Sequence, residues 1–142
     1  MIALPRQNKN VWAVLVKLAK FSSVGASGVL VNTGMLVLFY QIAGLPLIAA
    51  SVLATDCAIV SNYLLNERWT FGAQSISFRR FLKFNVSSLG GLMITTGTLY
   101  LLVTGWRVHH LIANLVGIGL ATGWNFTASM VWTWKKSERN DG

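Results

Sequence analysis

The chain has 142 residues, of which 54% are hydrophobic and 11% are charged, and its formal net charge is +8. Because a typical soluble domain has about 25% charged residues, this composition excludes an ordinary soluble domain and a disordered chain. The single cysteine, Cys57, excludes a disulfide within the chain. Nucleic-acid-binding proteins carry basic charge on a polar surface, which this sequence lacks. We therefore expect an integral membrane protein that binds no nucleic acid.

Long stretches without charge predict four transmembrane helices. The stretch between Lys20 and Asp56 is too long for one crossing, and the turn signal Gly44-Leu45-Pro46 divides it. Two further uncharged stretches lie between Lys83 and Arg107 and after Arg107. Each helix closes its own backbone hydrogen bonds, which lipid cannot supply. The predicted all-α membrane protein therefore has helices at about 21–42, 46–66, 84–105 and 110–133.

Two short segments with apolar residues at helical spacing precede the first and third predicted helices. We expect them to form amphipathic helices in the headgroup layer. Alternatively, each is the charged start of the span that follows. A cleaved signal peptide is not expected, because Lys17 and Lys20 interrupt the early apolar run. The apolar residues are Val11, Trp12, Leu15 and Leu18, then Phe78, Phe81 and Leu82.

The basic residues predict the orientation of the chain. With four spans, the N-terminal segment, the central loop and the C-terminal tail share one side, which holds 11 of the 12 Lys and Arg residues. Such residues accumulate on the cytoplasmic side of short loops. Both termini are therefore expected in the cytoplasm, and insertion in two opposite directions is not expected. Only Arg107 lies on the other side.

The two halves of the chain align at an offset of 63 residues without a gap. Within one domain, 1–142, repeat one covers about 17–71 and repeat two about 80–134. Each repeat is a helical hairpin with two crossings, so both insert the same way as parallel repeats, a plan known from transporters. The matches include Lys20 with Lys83, Gly28 with Gly91, Asn62 with Asn125, and Trp69-Thr70 with Trp132-Thr133.

Small residues recur every four positions on the second and fourth helices and lead to Asn62 and Asn125. They predict close helix packing, whereas an amide in lipid needs a polar partner. Helix one carries a similar line through Gly28 and Asn32. The small residues are Ala50, Ala54 and Ala58, then Ala113, Gly117 and Ala121.

Residues 62–71 read Asn-Tyr-Leu-Leu-Asn-Glu-Arg-Trp-Thr-Phe. Together with Lys20-Phe21, Val24-Gly25 and Asn32-Thr33, they resemble the GtrA-like family of small bacterial membrane proteins, and the resemblance covers about 17–134. It implies a flippase of the bacterial cytoplasmic (inner) membrane that moves polyprenyl-phosphate-linked sugars, such as undecaprenyl-phosphate glucose, for O-antigen or cell-wall modification.

The second copy of this motif departs from the first. Ser129, Met130 and Val131 stand where the first copy has Asn66, Glu67 and Arg68. We therefore expect the two halves to have different roles, with the first half recognising the substrate.

The sequence contains no pattern typical of a catalytic or metal site, so we expect no enzyme, metal or cofactor. His109 and His110 are adjacent and are predicted to point to different faces of a helix, which makes a poor chelate. Asp56 is the only acidic residue within a span, where a carboxylate costs about 2.5–3.5 kcal/mol. We expect it to line a path and bind sugar hydroxyls or a proton; alternatively it is a structural residue that contacts Asn32 or Thr95.

Basic side chains at the cytoplasmic headgroup level are candidates for binding the phosphate of a lipid-linked sugar. Trp69 is a candidate for stacking on the sugar, and Arg107 for receiving the phosphate on the outer side. The alternative is that these residues only contact membrane lipids. We expect a polar stripe that leads from Arg68 and Asn66 through Asn62, Asn125, Asp56 and Asn32 to Arg107. The basic candidates are Lys20, Arg68, Arg80 and Lys83.

Three functions remain open from the sequence. The first is a flippase, and the second is a scaffold that anchors a glycosyltransferase. The third is a small multidrug exporter, although such exporters rely on a Glu in their first helix. Because four helices provide little wall for a sugar path, we also expect a homo-oligomer, most simply a dimer.

Overall fold

The computed structural model describes residues 6–135, and every regular element in that range is helical. Each of four α-helices continues into a wider π-helical turn, and all four are long and apolar enough to cross a membrane, as predicted. The helices are α1 (Arg6–Leu36, then Val37–Ile42), α2 (Leu47–Leu65, then Asn66–Thr70), α3 (Phe78–Tyr100, then Leu101–Gly105) and α4 (His110–Ala128, then Ser129–Thr133).

The chain divides between Ile76 and Ser77 into two compact units. The first hairpin consists of α1 and α2, and the second consists of α3 and α4. We call the end of a hairpin that carries its connecting turn the loop end, and the opposite end the open end. Lys20 and Trp69 lie at the open end of the first hairpin, and Lys83 and Trp132 at that of the second.

The expectation of separate surface helices was wrong, because both segments are the first turns of longer helices. α1 runs without a break from Arg6, and α3 starts at Phe78. The Ser77 hydroxyl caps α3 by accepting a hydrogen bond from the Arg80 backbone N–H at 3.5 Å. A change of direction would have broken backbone hydrogen bonds, and neither segment contains a proline or glycine that favours such a break.

The predicted stripes of small residues form the packing faces of both hairpins. Five of the six are alanines with at most 8% exposure, and the sixth, Gly117, is also buried. A Cβ on Gly117 would lie 3.0 Å from the carbonyl oxygen of Thr95, so α3 and α4 approach closely at this glycine. The Thr95 hydroxyl donates hydrogen bonds to the Gly91 and Gly117 carbonyl oxygens at 3.1 and 3.4 Å. Both hairpins are therefore held by close backbone contact, which small residues allow.

Candidate functional site

At the open end of each hairpin, a lysine on one helix contacts a tryptophan on the other helix. In the first hairpin, Lys20 Nζ donates to the Trp69 carbonyl oxygen at 3.4 Å and lies 5.5 Å from the centre of its ring. In the second, Lys83 Nζ donates to the Trp132 carbonyl oxygen at 3.2 Å and lies 5.4 Å from the ring centre. We call these pairs the Lys–Trp latches. They recur at the 63-residue offset found in the sequence.

Two physical effects stabilise each latch. The carbonyl at the end of a helix carries the negative pole of the helix dipole, which favours a cation there. The electron-rich face of an indole ring attracts the same ammonium group. Aromatic edge contacts support both ends, with ring centres 6.3 Å apart for Phe21 and Phe71 and 5.9 Å apart for Phe84 and Trp134. Each latch thus holds a cation in a defined place.

The Asn-Glu-Arg segment of the first hairpin is split between interior and surface. Asn66 and Glu67 are buried at 2% and 0% exposure, whereas Arg68 is exposed. The Thr70 hydroxyl donates to Asn66 Oδ1 at 2.8 Å, so these two polar groups satisfy each other. Of the two predicted binding residues in this segment, Asn66 and Arg68, it is Arg68 that exposes its side chain.

The equivalent segment of the second hairpin is arranged differently. Ser129 and Thr133 are buried at 0% and 3% exposure, and neither side-chain oxygen has a hydrogen-bond partner in the described part of the chain. Nearby, Trp124 Nε1 donates to the Ser87 carbonyl oxygen at 3.1 Å, while the Ser87 hydroxyl donates to the Lys83 carbonyl oxygen at 3.0 Å. Two buried hydroxyls therefore remain unpaired beside the second latch.

Asn62 and Asn125 pack against glycines on the neighbouring helix. A Cβ on Gly28 would overlap the Asn62 amide, and a Cβ on Gly91 would overlap that of Asn125. The Oδ1 atoms of both asparagines are buried and lack a hydrogen-bond partner among residues 10–135. The two amides therefore occupy the same place in each hairpin, within the apolar spans, with unmet hydrogen-bonding capacity. Asn32 is half-buried on α1, one turn beyond Gly28.

Asp56 is exposed on α2, on the side opposite Ala54 and Ala58, which pack against α1. It lines a shallow groove of about 540 Å³ whose other lining includes Cys57, Ser61 and Leu64. Because Asp56 and the buried amide oxygen of Asn62 lie on different faces of α2, no single line along this helix joins them. The counterpart of Asp56, Gly119, has open space where a Cβ would stand.

At the loop end of the second hairpin, Arg107 is exposed, with a positive φ of 53°. His109 precedes α4 and caps it, because its Nδ1 accepts a hydrogen bond from the Leu111 backbone N–H at 3.3 Å. Its ring stacks on that of His110, with centres 4.4 Å apart. The prediction that the two rings point apart was wrong, because His109 lies just outside the helix.

The described residues contain no group of three or more His, Cys, Asp or Glu that could hold a metal ion. Arg80 is half-buried in the first turn of α3. Two basic tail residues used for the orientation, Lys136 and Arg139, lie outside the described range. The sequence analysis missed the unpaired hydroxyls of Ser129 and Thr133; the alignment of Ser129 with the larger Asn66 was the signal that could have found them.

Comparisons with known proteins agree with this architecture. The family model described as GtrA/DPMS, transmembrane domain, matches residues 20–134. A dolichol-phosphate mannosyltransferase from Pyrococcus furiosus is 38% identical over 120 residues, which are 83% of this chain and 34% of that protein. The chain thus spans about a third of the length of the curated relative that it matches. Because the family model matches most of the chain and the chain has the four helices of a membrane domain, the chain belongs to the GtrA/DPMS transmembrane domain family.

Proposed function

We propose that this chain moves a polyprenyl-phosphate-linked sugar, such as undecaprenyl-phosphate glucose, across the bacterial cytoplasmic membrane for O-antigen or cell-wall polysaccharide synthesis. It acts without a catalytic site of its own. The open ends of the hairpins face the cytoplasm, because the basic residues concentrate there. The family and the name of the relative support chemistry on polyprenyl-phosphate sugars, and the transport step is our own proposal.

The exposed carboxylate of Asp56 within a membrane span is the observation that carries this proposal. Within the part of the chain that the structure describes, Asp56 makes no hydrogen bond or ion pair. A carboxylate facing lipid costs about 2.5–3.5 kcal/mol, so it usually faces a partner or a polar path. A domain that only anchors another protein has no need of this acid. A path for a sugar needs hydrogen-bond acceptors for hydroxyl groups, and Asp56 offers one.

Residues at the open end of the first hairpin fit the entry of a lipid phosphate. Arg68 is exposed beside the first latch, and an exposed guanidinium can bind phosphate with two parallel hydrogen bonds. Trp69 is half-exposed, but Lys20 lies against its ring, which leaves the other face for a sugar. We propose that Arg68 captures the phosphate and that the sugar passes Asp56.

Translocation in reconstituted vesicles tests the proposal. Vesicles carry undecaprenyl-phosphate glucose in both leaflets, and an impermeant oxidant reports the sugar that reaches the outside. We expect Asp56→Asn and Arg68→Ala to insert normally and to slow translocation about tenfold or more, since each removes a charged hydrogen bond. Thr55→Val is the matched control, because the neighbouring Thr55 hydroxyl already bonds to the Ser51 carbonyl oxygen. Parent rates in both variants would overturn the proposal.

A second candidate function is a membrane anchor for a glycosyltransferase. It is favoured by the relative, in which the matching segment is 34% of a longer protein named a mannosyltransferase. An anchor predicts that this chain raises the membrane-bound activity of a polyprenyl-phosphate glucosyltransferase, and that Asp56→Asn changes neither that activity nor translocation. The Asp56→Asn variant therefore distinguishes the two candidates, because it slows translocation by a flippase and has no effect on an anchor.

A further inference from the structure

The open ends of the two hairpins differ in how their buried polar groups are satisfied. In the first hairpin, Asn66 and Thr70 bond to each other at 2.8 Å. In the second, Ser129 and Thr133 occupy the matching positions, and both buried hydroxyls lack a partner. Since serine is shorter than asparagine, it cannot reach the threonine in the same way. A buried polar atom without a partner costs free energy, and native proteins keep few of them without a reason.

The two open ends also differ in charge. The first contains the buried Glu67, whereas the second has Met130 at the matching position. Residues 77–135 contain no Asp or Glu at all. Lys83 is half-buried and contacts the carbonyl oxygen and the ring of Trp132, and no carboxylate within residues 77–135 neutralises it. The second open end therefore combines an unneutralised cation with two unpaired hydroxyl donors.

We propose that the open end of the second hairpin binds a phosphate group through the Lys83 ammonium and the hydroxyls of Ser129 and Thr133. This inference deepens the proposed function and rests on it for the identity of the cargo. It adds to the exposed Arg68 of the first hairpin a second phosphate-binding site, in the half of the chain without the Asn-Glu-Arg motif. The matching buried groups of the first hairpin cannot form this site, because the Thr70 hydroxyl already donates its hydrogen bond to Asn66 Oδ1.

Access to this site involves the second latch. The hydroxyl oxygens of Ser129 and Thr133 are inaccessible while the latch is closed. A phosphate oxygen is a stronger acceptor than a neutral carbonyl, so it can replace the Trp132 carbonyl oxygen as the partner of Lys83. Exchange of this hydrogen bond removes one of the contacts that hold the last turn of α4, which carries Thr133, against α3. The latch is thus both the closure of the site and one of its ligands.

Binding of polyprenyl monophosphate without a sugar tests this inference. The full chain is placed in phosphatidylcholine nanodiscs, and affinity is measured together with hydrogen exchange at residues 129–134. We expect Lys83→Gln and the double variant Ser129→Ala/Thr133→Val each to lower affinity about tenfold. The double variant should keep or gain thermal stability, because it removes two unpaired buried hydroxyls. A purely structural role for these hydroxyls predicts lost stability and unchanged affinity.

Matched variants in the first hairpin provide the comparison. Thr70→Val breaks a hydrogen bond that is made, so it should lower stability and leave phosphate affinity unchanged. Lys20→Gln removes the same latch from the first hairpin and should lower affinity less than threefold. Lys17→Gln controls for loss of one basic charge. Equal losses in Lys20→Gln and Lys83→Gln would overturn the assignment to the second hairpin.

Two further arms separate the sources of phosphate and the two proposals. Phosphatidylglycerol in the nanodisc and dissolved inorganic phosphate are tested as competitors. Competition by phosphatidylglycerol alone would identify an ordinary lipid site and overturn the role in cargo binding. Tight binding that depends on Lys83, combined with no translocation of the sugar lipid, would overturn the flippase and retain the phosphate site. Translocation that persists in Lys83→Gln at the parent rate would overturn the site and retain the flippase.

Discussion

Gly44 and Arg107 occupy the same position of the turn in the two hairpins, and both have a left-handed backbone, with φ of 70° and 53°. The residue after each donates a backbone hydrogen bond six positions back, from Leu45 to Phe39 at 3.0 Å and from Val108 to Leu102 at 2.9 Å. Glycine adopts this conformation freely, whereas other residues pay about 1–2 kcal/mol. The second hairpin therefore keeps an arginine at a position where its backbone is strained.

The first prediction uses this difference. Arg107→Gly should raise the free energy of unfolding by about 1 kcal/mol, because glycine adopts the left-handed backbone at this position without strain. Arg107→Ala should give no comparable gain, and Gly44→Ala should cost about 1 kcal/mol. If Arg107 receives the phosphate on the outer side, both variants at 107 slow translocation despite their different stabilities. Thermal unfolding in detergent and vesicle translocation measure the two effects separately.

The second prediction concerns the packing of glycine on asparagine. Gly28→Ala and Gly91→Ala should each destabilise the protein by about 1–3 kcal/mol, because the added methyl group would overlap the amide of the facing asparagine, which must shift. Gly25→Ala is the control, since no atom lies within 4 Å of its Cβ position and alanine favours a helix. Thermal unfolding should rank these variants. Equal effects at 25 and 28 would contradict this packing.

The third prediction concerns the orientation. In a Cys57→Ala background, cysteines introduced at positions 44 and 106 should react with an impermeant maleimide from outside the cell. A cysteine at position 75 should react only after the membrane is opened, since it lies in the loop between the hairpins. The reason is the concentration of basic residues on that side. Labelling of position 75 from outside would contradict the predicted orientation.

The fourth prediction concerns assembly. Four helices offer little wall for a path wide enough to pass a sugar headgroup. We therefore expect a homodimer, visible by native mass spectrometry from mild detergent and by crosslinking in the membrane. Monomers that retain full translocation after dilution would contradict it.

The sequence by itself determined the membrane class, the number of spans and their packing faces. Charge gaps and stretches of apolar residues report the cost of moving each side chain into lipid, which depends little on distant residues. The stripes through Ala54 and Ala121 were predictable for a similar reason, because residues four apart share a helix face. Continuity of α1 through Lys20 was open from the sequence, since an amphipathic start is compatible with a bent or a straight helix.

Only the tertiary structure decided which polar groups have partners. Asn66 and Ser129 align in the repeat, yet one hydroxyl–amide bond forms at 2.8 Å and the other pair stays unbonded, because that outcome depends on side-chain reach between successive turns. The Lys–Trp latches could not be predicted from the sequence either, since Lys20 and Trp69 are 49 residues apart and meet only when α1 packs on α2. The sequence named the charged and amide residues of the site but not the hydroxyls of Ser129 and Thr133, and the distances between side chains decided which of these groups can still bind a ligand.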